Sequence, residues 1–391
     1  MSRRLRALSA QLAAFLLLAL AQPLILAGSS TNRSALHVAA ESGDLPTVMT
    51  SLRAGAALED VDWTNETPLR KAARFGRTEV VAALLQAGAT VQVQQSLPVA
   101  ARYGHGAVVR LLVAAGAEPG VEDTWSFQGP GPDVKDHRIK RLVRHDTPLM
   151  IASTYGQTEA VQALLDGGAQ ANAQNAIGRT ALSCAAIEGH ADTVAALLGG
   201  GAEVDLQDEK GYVPLMFAST GGHERAVQAL LDGGAFVDRA TDDGFTAVMI
   251  ASMHGSLAVT KLLLGAGANP NARTYGIFAT SLFNMVVRNT SETNVLHVVG
   301  AVAENNVGFT SLMGAATMAY NEIVTVLLRA GAITDTRDNS GWTAHDAAMY
   351  NRYATTASLL AAVRVPDEAV VQHNVTDPVQ AVHCGLCVDS H

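Results

Sequence analysis

The sequence predicts an all-α fold, a solenoid of about ten stacked helix–turn–helix units. The main observation is self-similarity, since TPLRKAARFGRTEVVAALLQAGA (67–89) aligns with TPLMIASTYGQTEAVQALLDGGA (147–169). A fixed period of this length is the sequence signature of a repeat architecture. The composition agrees, because 48% of the residues are hydrophobic but only 5% are aromatic. Small aliphatic side chains suit many thin layers better than one large core.

Each unit carries the start and stop signals of two short helices. Thr67 has the position of a helix N-cap, and Pro68 follows at the first helical position, where no amide donor is needed. Gly76 ends this first helix at a position that usually requires left-handed backbone. Val81 and Leu84 have the spacing of an apolar helix face, which predicts the second helix. Units of this form start at Ser34, Thr67, Thr147, Thr180, Val213, Thr246, Thr310 and Thr343.

These motifs resemble those of the ankyrin repeat family, and the resemblance covers residues 32–364. It implies a solenoid with projecting turns that binds other proteins through its turn tips and concave helices. The family usually places a histidine after the leucine of the first helix, where the ring ties adjacent repeats together. Only His37 keeps this histidine, whereas Met150 and Met216 are examples of its replacements. We therefore expect those layers to depend on apolar contact more than on a ladder of hydrogen bonds.

Three units depart from the regular pattern. The third, around Leu97, starts about five residues early, so its leading turn is short. Residues 280–306 keep a helical pattern but lack the interhelix glycine and the final Gly-Ala, which predicts a degenerate repeat and the weakest layer. The last unit, from Thr343, is expected to be the C-terminal cap. Residues 365–391 lose the periodicity and are expected to form a disordered C-terminal tail.

Residues 1–29 carry the pattern of a secretory signal peptide. A basic stretch at residues 3–6 precedes the apolar run 12–21, and small residues follow. Cleavage is expected after Ala21 or after Ser29. Two alternatives stay open: an uncleaved membrane anchor, or an organelle presequence, since the stretch is rich in arginine and free of acidic residues.

An insertion of about 19 residues interrupts the period within residues 118–146. One interpretation is an extended finger with an aromatic anchor and a basic arm that reaches for an acidic partner. The other is a tolerated surface insertion, since long loops cost little stability. The segment RIKR (138–141) also resembles the recognition sequence of furin-like processing proteases. The candidate contact residues in this finger are Trp125, Phe127, Lys135, Arg138, Lys140, Arg141 and Arg144.

The resemblance further implies that a partner contacts the turn tips and the exposed end of each first helix. Phe75, Tyr103 and Tyr155 occupy equivalent positions in consecutive units and would make an aromatic stripe. Such a stripe is either an exposed binding surface or a set of rings packed within the stack. Packing suits Tyr212 and Phe245 better, because they directly precede a helix start. The positions transferred residue by residue are Trp63, Glu66, Arg74, Phe75, Arg102, Tyr103, Tyr155, Arg179, Tyr212, Phe245 and His254.

Cys384 and Cys387 form a C-x-x-C pair near the C-terminus. In an oxidising compartment we expect this pair to form a disulfide, either within the chain or between subunits, with a small metal-binding tail or an inert tail as the alternatives. No second pair completes a zinc site, so no metal site is predicted. The histidines that follow the interhelix turns are expected to be structural, because stacked helices lie too far apart to share an ion. These histidines are His105, His190 and His223.

Asn65 and Asn289 stand in N-x-S/T sequons and are the predicted glycosylation sites if the chain enters a eukaryotic secretory pathway. Asn65 is the better candidate, because it lies at a turn tip.

The chemistry of the sequence favours binding over catalysis. No nucleophile–base pair, phosphate-binding loop or metal-ligand cluster has a recognisable spacing, so no catalytic residue and no cofactor is predicted. The formal net charge of −9 argues against nucleic acid as a partner. The leading hypothesis is a non-enzymatic scaffold that binds a protein partner and no small-molecule substrate, in the extracellular space, the secretory lumen or a bacterial periplasm. The alternatives are a membrane-tethered or organelle-imported adaptor, which requires the N-terminal segment to be retained or to direct import, and a redox protein that uses the C-x-x-C tail.

Overall fold

The computed structural model describes residues 34–121, 146–275 and 307–362, which form eighteen helices and no strand. The helices are seven to ten residues long and follow one another in nine pairs, each with an inner helix followed by an outer helix. This arrangement confirms the all-α prediction. The pairs are α1 Ala35–Ser42 and α2 Leu45–Arg53, α3 Pro68–Arg74 and α4 Thr78–Gln86, α5 Val93–Arg102 and α6 Gly106–Ala114, α7 Pro148–Thr154 and α8 Thr158–Asp166, α9 Ala181–Glu188 and α10 Ala191–Gly199, α11 Pro214–Gly221 and α12 Glu224–Asp232, α13 Ala247–Met253 and α14 Leu257–Gly265, α15 Ser311–Thr317 and α16 Asn321–Arg329, and α17 Ala344–Tyr350 and α18 Ala354–Ala362.

The inner helices begin and end where the sequence predicts. The hydroxyl of Thr67 accepts a hydrogen bond from the backbone N–H of Arg70, which caps α3. Gly76 follows this helix with φ of +65°, in the left-handed region that glycine adopts most easily. Ala319 and Arg352 take the same position in the last two units with φ of 56° and 60°. These two non-glycine residues are therefore strained.

The layers are held together by packing between successive units. Inner helices stack on inner helices, and outer helices stack on outer helices, along the whole series. In the second unit Leu69, Ala72 and Ala73 are fully buried between the layers. Helices of this length are not stable alone in water, so their stability comes from this packing. None of the helices in the described parts of the chain combines the length and the hydropathy that crossing a bilayer requires.

The position after the leucine of the inner helix differs between the first unit and two later ones. His37 places its Nε2 atom 3.1 Å from the carbonyl oxygens of both Asp60 and Glu66, and so ties the first unit to the turn before the second. Met150 and Met216 occupy the equivalent position in later units and are buried. At this position, apolar contact therefore replaces the hydrogen bonds that His37 makes in the first unit.

One side chain completes the short turn before the third unit. Gln92 precedes α5 with φ of +62°. Its Oε1 atom accepts from the backbone N–H of Thr67 at 3.1 Å, and its Nε2 atom donates to the carbonyl oxygen of Asn65 at 3.1 Å. The amide thus supplies hydrogen bonds to the backbone of the preceding turn, and it joins the second and third units in spite of the early start.

The insertion at 118–146 does not interrupt the stack. Helix α5 packs directly on α7, and α6 packs directly on α8. The described chain leaves the third unit at Val121 and returns at Asp146, just before α7. Residues 122–145 lie outside the described residues, so the proposed finger stays a prediction.

The degenerate repeat predicted at residues 280–306 stays a prediction. Residues 280–306 themselves lie outside the described residues, but helix α13 packs directly on α15, and α14 packs on α16. The backbone N–H of Gly308 donates to the carbonyl oxygen of Thr274 at 2.7 Å, and the N–H of Thr274 donates to that of Phe309 at 3.1 Å. These contacts join the units of α13 and α15 directly. The described residues form nine layers, and the remaining one of the about ten predicted units lies outside them.

Candidate interaction surface

A row of aromatic side chains crosses the ends of three inner helices. Phe75, Tyr103 and Tyr155 directly follow α3, α5 and α7, which pack on one another in that order. Phe75 is 41% exposed and Tyr103 is 47% exposed, whereas Tyr155 is half-buried. We call these three residues and Arg102 the aromatic rim. Part of the predicted stripe is thus accessible to a partner, and part of it packs.

Arg102 lies between two rings of the aromatic rim. The Cζ atom of its guanidinium is 4.8 Å from the ring centroid of Tyr155 and 5.8 Å from that of Tyr103. A cation near the face of an aromatic ring is attracted by about 0.5–2 kcal/mol, depending on how far it is removed from water. Within residues 34–121, 146–275 and 307–362, no carboxylate lies at ion-pair distance from Arg102. Rings, and not an acid, therefore hold this positive charge.

Tyr155 is neutral in this setting. Burial raises the pKa of its hydroxyl above the usual value, and the positive charge of Arg102 lowers the pKa by less. The nearby carboxylate of Glu188 adds a smaller upward contribution. Glu188 is exposed and ends the inner helix α9 of the next unit. The aromatic rim is therefore followed by a negative charge on one side.

His105 fixes the middle of the aromatic rim. Its Nε2 atom lies 2.9 Å from the carbonyl oxygen of Arg74, and its ring stacks on Tyr103 with 6.4 Å between centroids. The last carbonyl groups of a helix have no partner within the helix, so the ring satisfies one of them across the layer boundary. The same type of contact joins His190 to the carbonyl oxygen of Thr154, and His223 to that of Ile187.

These contacts agree with the structural role predicted for the three histidines. Each ring also packs against the interhelix glycine of the preceding unit, for example His190 against Gly156. In the described part of the chain, no group of three or more His, Cys, Asp or Glu residues is placed to hold a metal ion.

A cluster of buried charges lies in the second unit, next to Phe75 in sequence. The Nζ atom of Lys71 is 2.9 Å from a carboxylate oxygen of Asp62 and 3.6 Å from one of Glu66. Arg74 forms a close ion pair with the other oxygen of Glu66. Burial raises the pKa of Asp62, but hydrogen bonds from Thr64 and Lys71 outweigh it, so the pKa is lowered overall.

Two predicted contact residues are buried, and those predictions are wrong. Glu66 is only 2% exposed, because its carboxylate is enclosed by basic side chains of α3. Phe245 is 3% exposed, because its ring packs inside the stack. Arg74 stays accessible over about a third of its side chain, but Glu66 balances its charge.

Three further predicted contact residues already contact neighbours within the stack. The Cζ atom of Arg179 lies 4.9 Å from the ring centroid of Phe217, and the ring of Tyr212 stacks on Phe217 at 5.5 Å. Burial raises the pKa of Tyr212. His254 is half-buried, with its Nδ1 atom 2.8 Å from the carbonyl oxygen of Ile250, and burial lowers its pKa.

The turn tips expose other candidate residues. Trp63 is 62% exposed, and Asn65 is exposed with φ of 59°. Tyr275 and Phe236, which the repeat pattern does not mark as contact residues, are 64% and 59% exposed. Lys71 was not predicted as a site residue, although a lysine where other units carry apolar residues is a readable signal.

The remaining predicted sites lie outside the described residues. They are the signal segment 1–29, Trp125, Phe127, Lys135, Arg138, Lys140, Arg141, Arg144, Asn289, the tail 365–391, Cys384 and Cys387.

Comparison with known families agrees with this architecture. The family model described as ankyrin repeats (3 copies) matches residues 11–95, 36–123, 97–208 and 192–274. These overlapping matches cover more than half of the chain. No curated protein matches it. The stacked helix pairs and the family matches together show that the chain belongs to the ankyrin repeat family.

Proposed function

We propose that the chain is a non-enzymatic scaffold that binds another protein through the aromatic rim. Ankyrin repeats generally mediate protein–protein interaction, and the family is typically non-enzymatic. The observation that carries the proposal is the position of Arg102 between Tyr103 and Tyr155, beside the exposed ring of Phe75. Tyrosine and arginine are enriched among the residues that dominate protein–protein binding energy.

The surroundings of the aromatic rim favour binding without rearrangement. Tyr103 stacks on His105, which is itself anchored to α3, so the ring is held in place before a partner arrives. Side chains that are already ordered lose less conformational entropy when a complex forms. The rim therefore has the exposed apolar area, the polar groups and the rigidity of a binding surface.

Site-specific photo-crosslinking tests the proposal. Tyr103 and Arg110 belong to the same unit, but Arg110 lies on the outer helix α6 and is exposed. With benzoylphenylalanine at position 103, we expect irradiation in the native host to link the full chain to one discrete protein. With the same residue at position 110, we expect no such adduct. Equal adducts at both positions, or none at position 103, would contradict the proposal.

We further propose that the scaffold works in an extracytoplasmic compartment, either the extracellular space, a secretory lumen or a periplasm. The support is in the sequence alone, in the basic and apolar pattern of residues 1–29. The N-terminal sequence and intact mass of the native protein test it. A chain that begins at Gln22 or Ser30 supports export. A chain that retains residues 3–6 supports the membrane-tethered alternative if extraction needs detergent.

A further inference from the structure

We infer that the partner presents a carboxylate to Arg102, from an aspartate, a glutamate or a chain terminus. The inference rests on the proposed function and names the chemistry that the aromatic rim selects. It predicts that the binding segment is acidic at one point and apolar beside it.

The charge of Arg102 is not balanced by an acid in the described residues, whereas the charges of Arg74 and Arg110 nearby are balanced. Arg74 is paired with Glu66 in the second unit, and Arg110 is 3.2 Å from Glu159 on the outer helices. For Arg102 the structure supplies two rings, at 4.8 and 5.8 Å from the guanidinium carbon. Aromatic rings orient a guanidinium but neutralise none of its charge, so its donor groups remain suited to a carboxylate.

Arg102 is also partly buried, and its side chain is held in place. Its side chain is half-buried, and Tyr155 beside it is buried enough for its pKa to be raised. An ion pair formed at such a site is screened less than one between fully exposed groups. A planar guanidinium that is already ordered also favours two-point binding of a carboxylate.

The groups on either side of Arg102 determine how the partner is oriented along the stack. Glu188, exposed on the next inner helix, repels a second carboxylate placed beyond Tyr155. On the other side of Arg102, Tyr103 and Phe75 offer exposed apolar area. The acidic group of the partner is therefore expected at Arg102, with an apolar side chain towards Phe75 and without a further acid towards Glu188.

Three labelled peptides of equal length test this inference on the full chain. Each consists of glycine and serine with one central leucine–leucine pair, followed by two glutamates, two glutamines or two lysines. Binding is measured by fluorescence anisotropy at low ionic strength. We expect the glutamate peptide to bind about tenfold more tightly than the glutamine peptide, as a charge-assisted hydrogen-bonded pair allows. The net charge of −9 acts against this order, so non-specific attraction cannot produce it.

Matched variants locate the effect. Arg102→Gln is expected to abolish the preference for glutamate, and Arg102→Lys to retain part of it. Arg225→Gln, at an exposed arginine of the outer helix α12, is expected to leave it unchanged. Equal binding of the glutamate and glutamine peptides, with both lost in Tyr103→Ala, would overturn the carboxylate inference and leave the proposed function intact. Tightest binding of the lysine peptide, or no binding of the glutamate peptide, would also overturn the inference. A failure of crosslinking at position 103 would instead count against the proposed function.

Discussion

At the scale of single residues, Cys184 shows what burial in a thin layer does to a reactive group. It lies on α9 with 2% of its surface exposed, and burial raises the pKa of its thiol to about 12. Because the thiolate is the reactive form, we expect the folded protein to resist iodoacetamide at this residue near neutral pH. Peptide mass spectrometry should find Cys184 alkylated only after denaturation. Equal labelling with and without denaturant would show that the layer opens readily.

His254 is expected to make stability depend on pH. Burial lowers its pKa below the ordinary 6.5, so the folded state binds fewer protons than the unfolded state. Its contribution is therefore fully present above that ordinary pKa and decreases as the pH falls below it. Urea unfolding of the wild type and of His254→Gln, at about pH 7.5 and about pH 5.5, measures this effect. The variant should lose less stability between the two pH values, and identical losses would refute the prediction.

Single residues also show which features of the fold and the site could be predicted from the sequence. Thr67 and Gly76 were predicted as cap and helix end because their roles follow from backbone chemistry alone. Glu66 was placed on the surface because it belongs to a turn tip. Its burial depends on Lys71 and Arg74, which reach it across the first turns of α3. Such a pairing depends on side-chain geometry that a repeat pattern does not contain.

At the scale of helices, the interhelix glycine Gly156 is favoured both by its backbone conformation and by its neighbour. Gly156 has φ of +66°, and a Cβ atom there would lie 2.6 Å from the ring of His190. Gly168 has φ of +87° but meets nothing within 4 Å. We expect Gly168→Ala to cost about 1 kcal/mol of unfolding free energy from backbone strain, and Gly156→Ala about 2–3 kcal/mol. Urea unfolding measures both values.

A double variant isolates the ring contact. If the extra cost of Gly156→Ala arises from His190, then combining it with His190→Ala should cost less than the sum of the two single changes. Additive costs would show that the ring plays no part.

Disrupting the buried charge cluster around Lys71 should cost more unfolding free energy than breaking a surface ion pair of the outer helices. Lys71 has 8% of its side chain exposed and faces the buried carboxylates of Asp62 and Glu66. Lys71→Met removes the basic partner of Asp62 and one of the basic partners of Glu66, and we expect it to cost about 3–5 kcal/mol. Arg225→Met breaks an exposed pair with Asp192 and should cost about 1 kcal/mol or less. Chemical denaturation of the two variants gives the comparison, and a similar small cost for both would contradict it.

At the scale of the whole molecule, the period predicted the regular units. It did not predict that the units on either side of residues 276–306 contact each other directly. Regular units are recognisable because their glycines and caps recur at fixed spacing. Residues 280–306 have helical spacing of apolar residues, and this spacing alone does not say whether a segment packs as a layer. The missing glycines set this segment apart from the regular units, although Ala319 and Arg352 show that a helix pair also closes without glycine at that position. The third unit shows that an irregular unit can join the stack, since the amide of Gln92 helps to tie it to the second unit.

Because α13 packs directly on α15, we expect that residues 276–306 can be deleted without loss of the stack. Their flanks are already joined, because Gly308 and Phe309 exchange hydrogen bonds with Thr274. We expect a chain with this segment replaced by a short Gly–Ser linker to melt cooperatively within about 3 °C of the wild type, which corresponds to about 1 kcal/mol. Deletion of residues 180–212, which removes the complete unit of α9 and α10, is the matched control and should lower the melting temperature further, since it removes a packed layer. Loss of cooperative melting on removal of residues 276–306 alone would show that this segment stabilises the stack and that the two units do not pack without it.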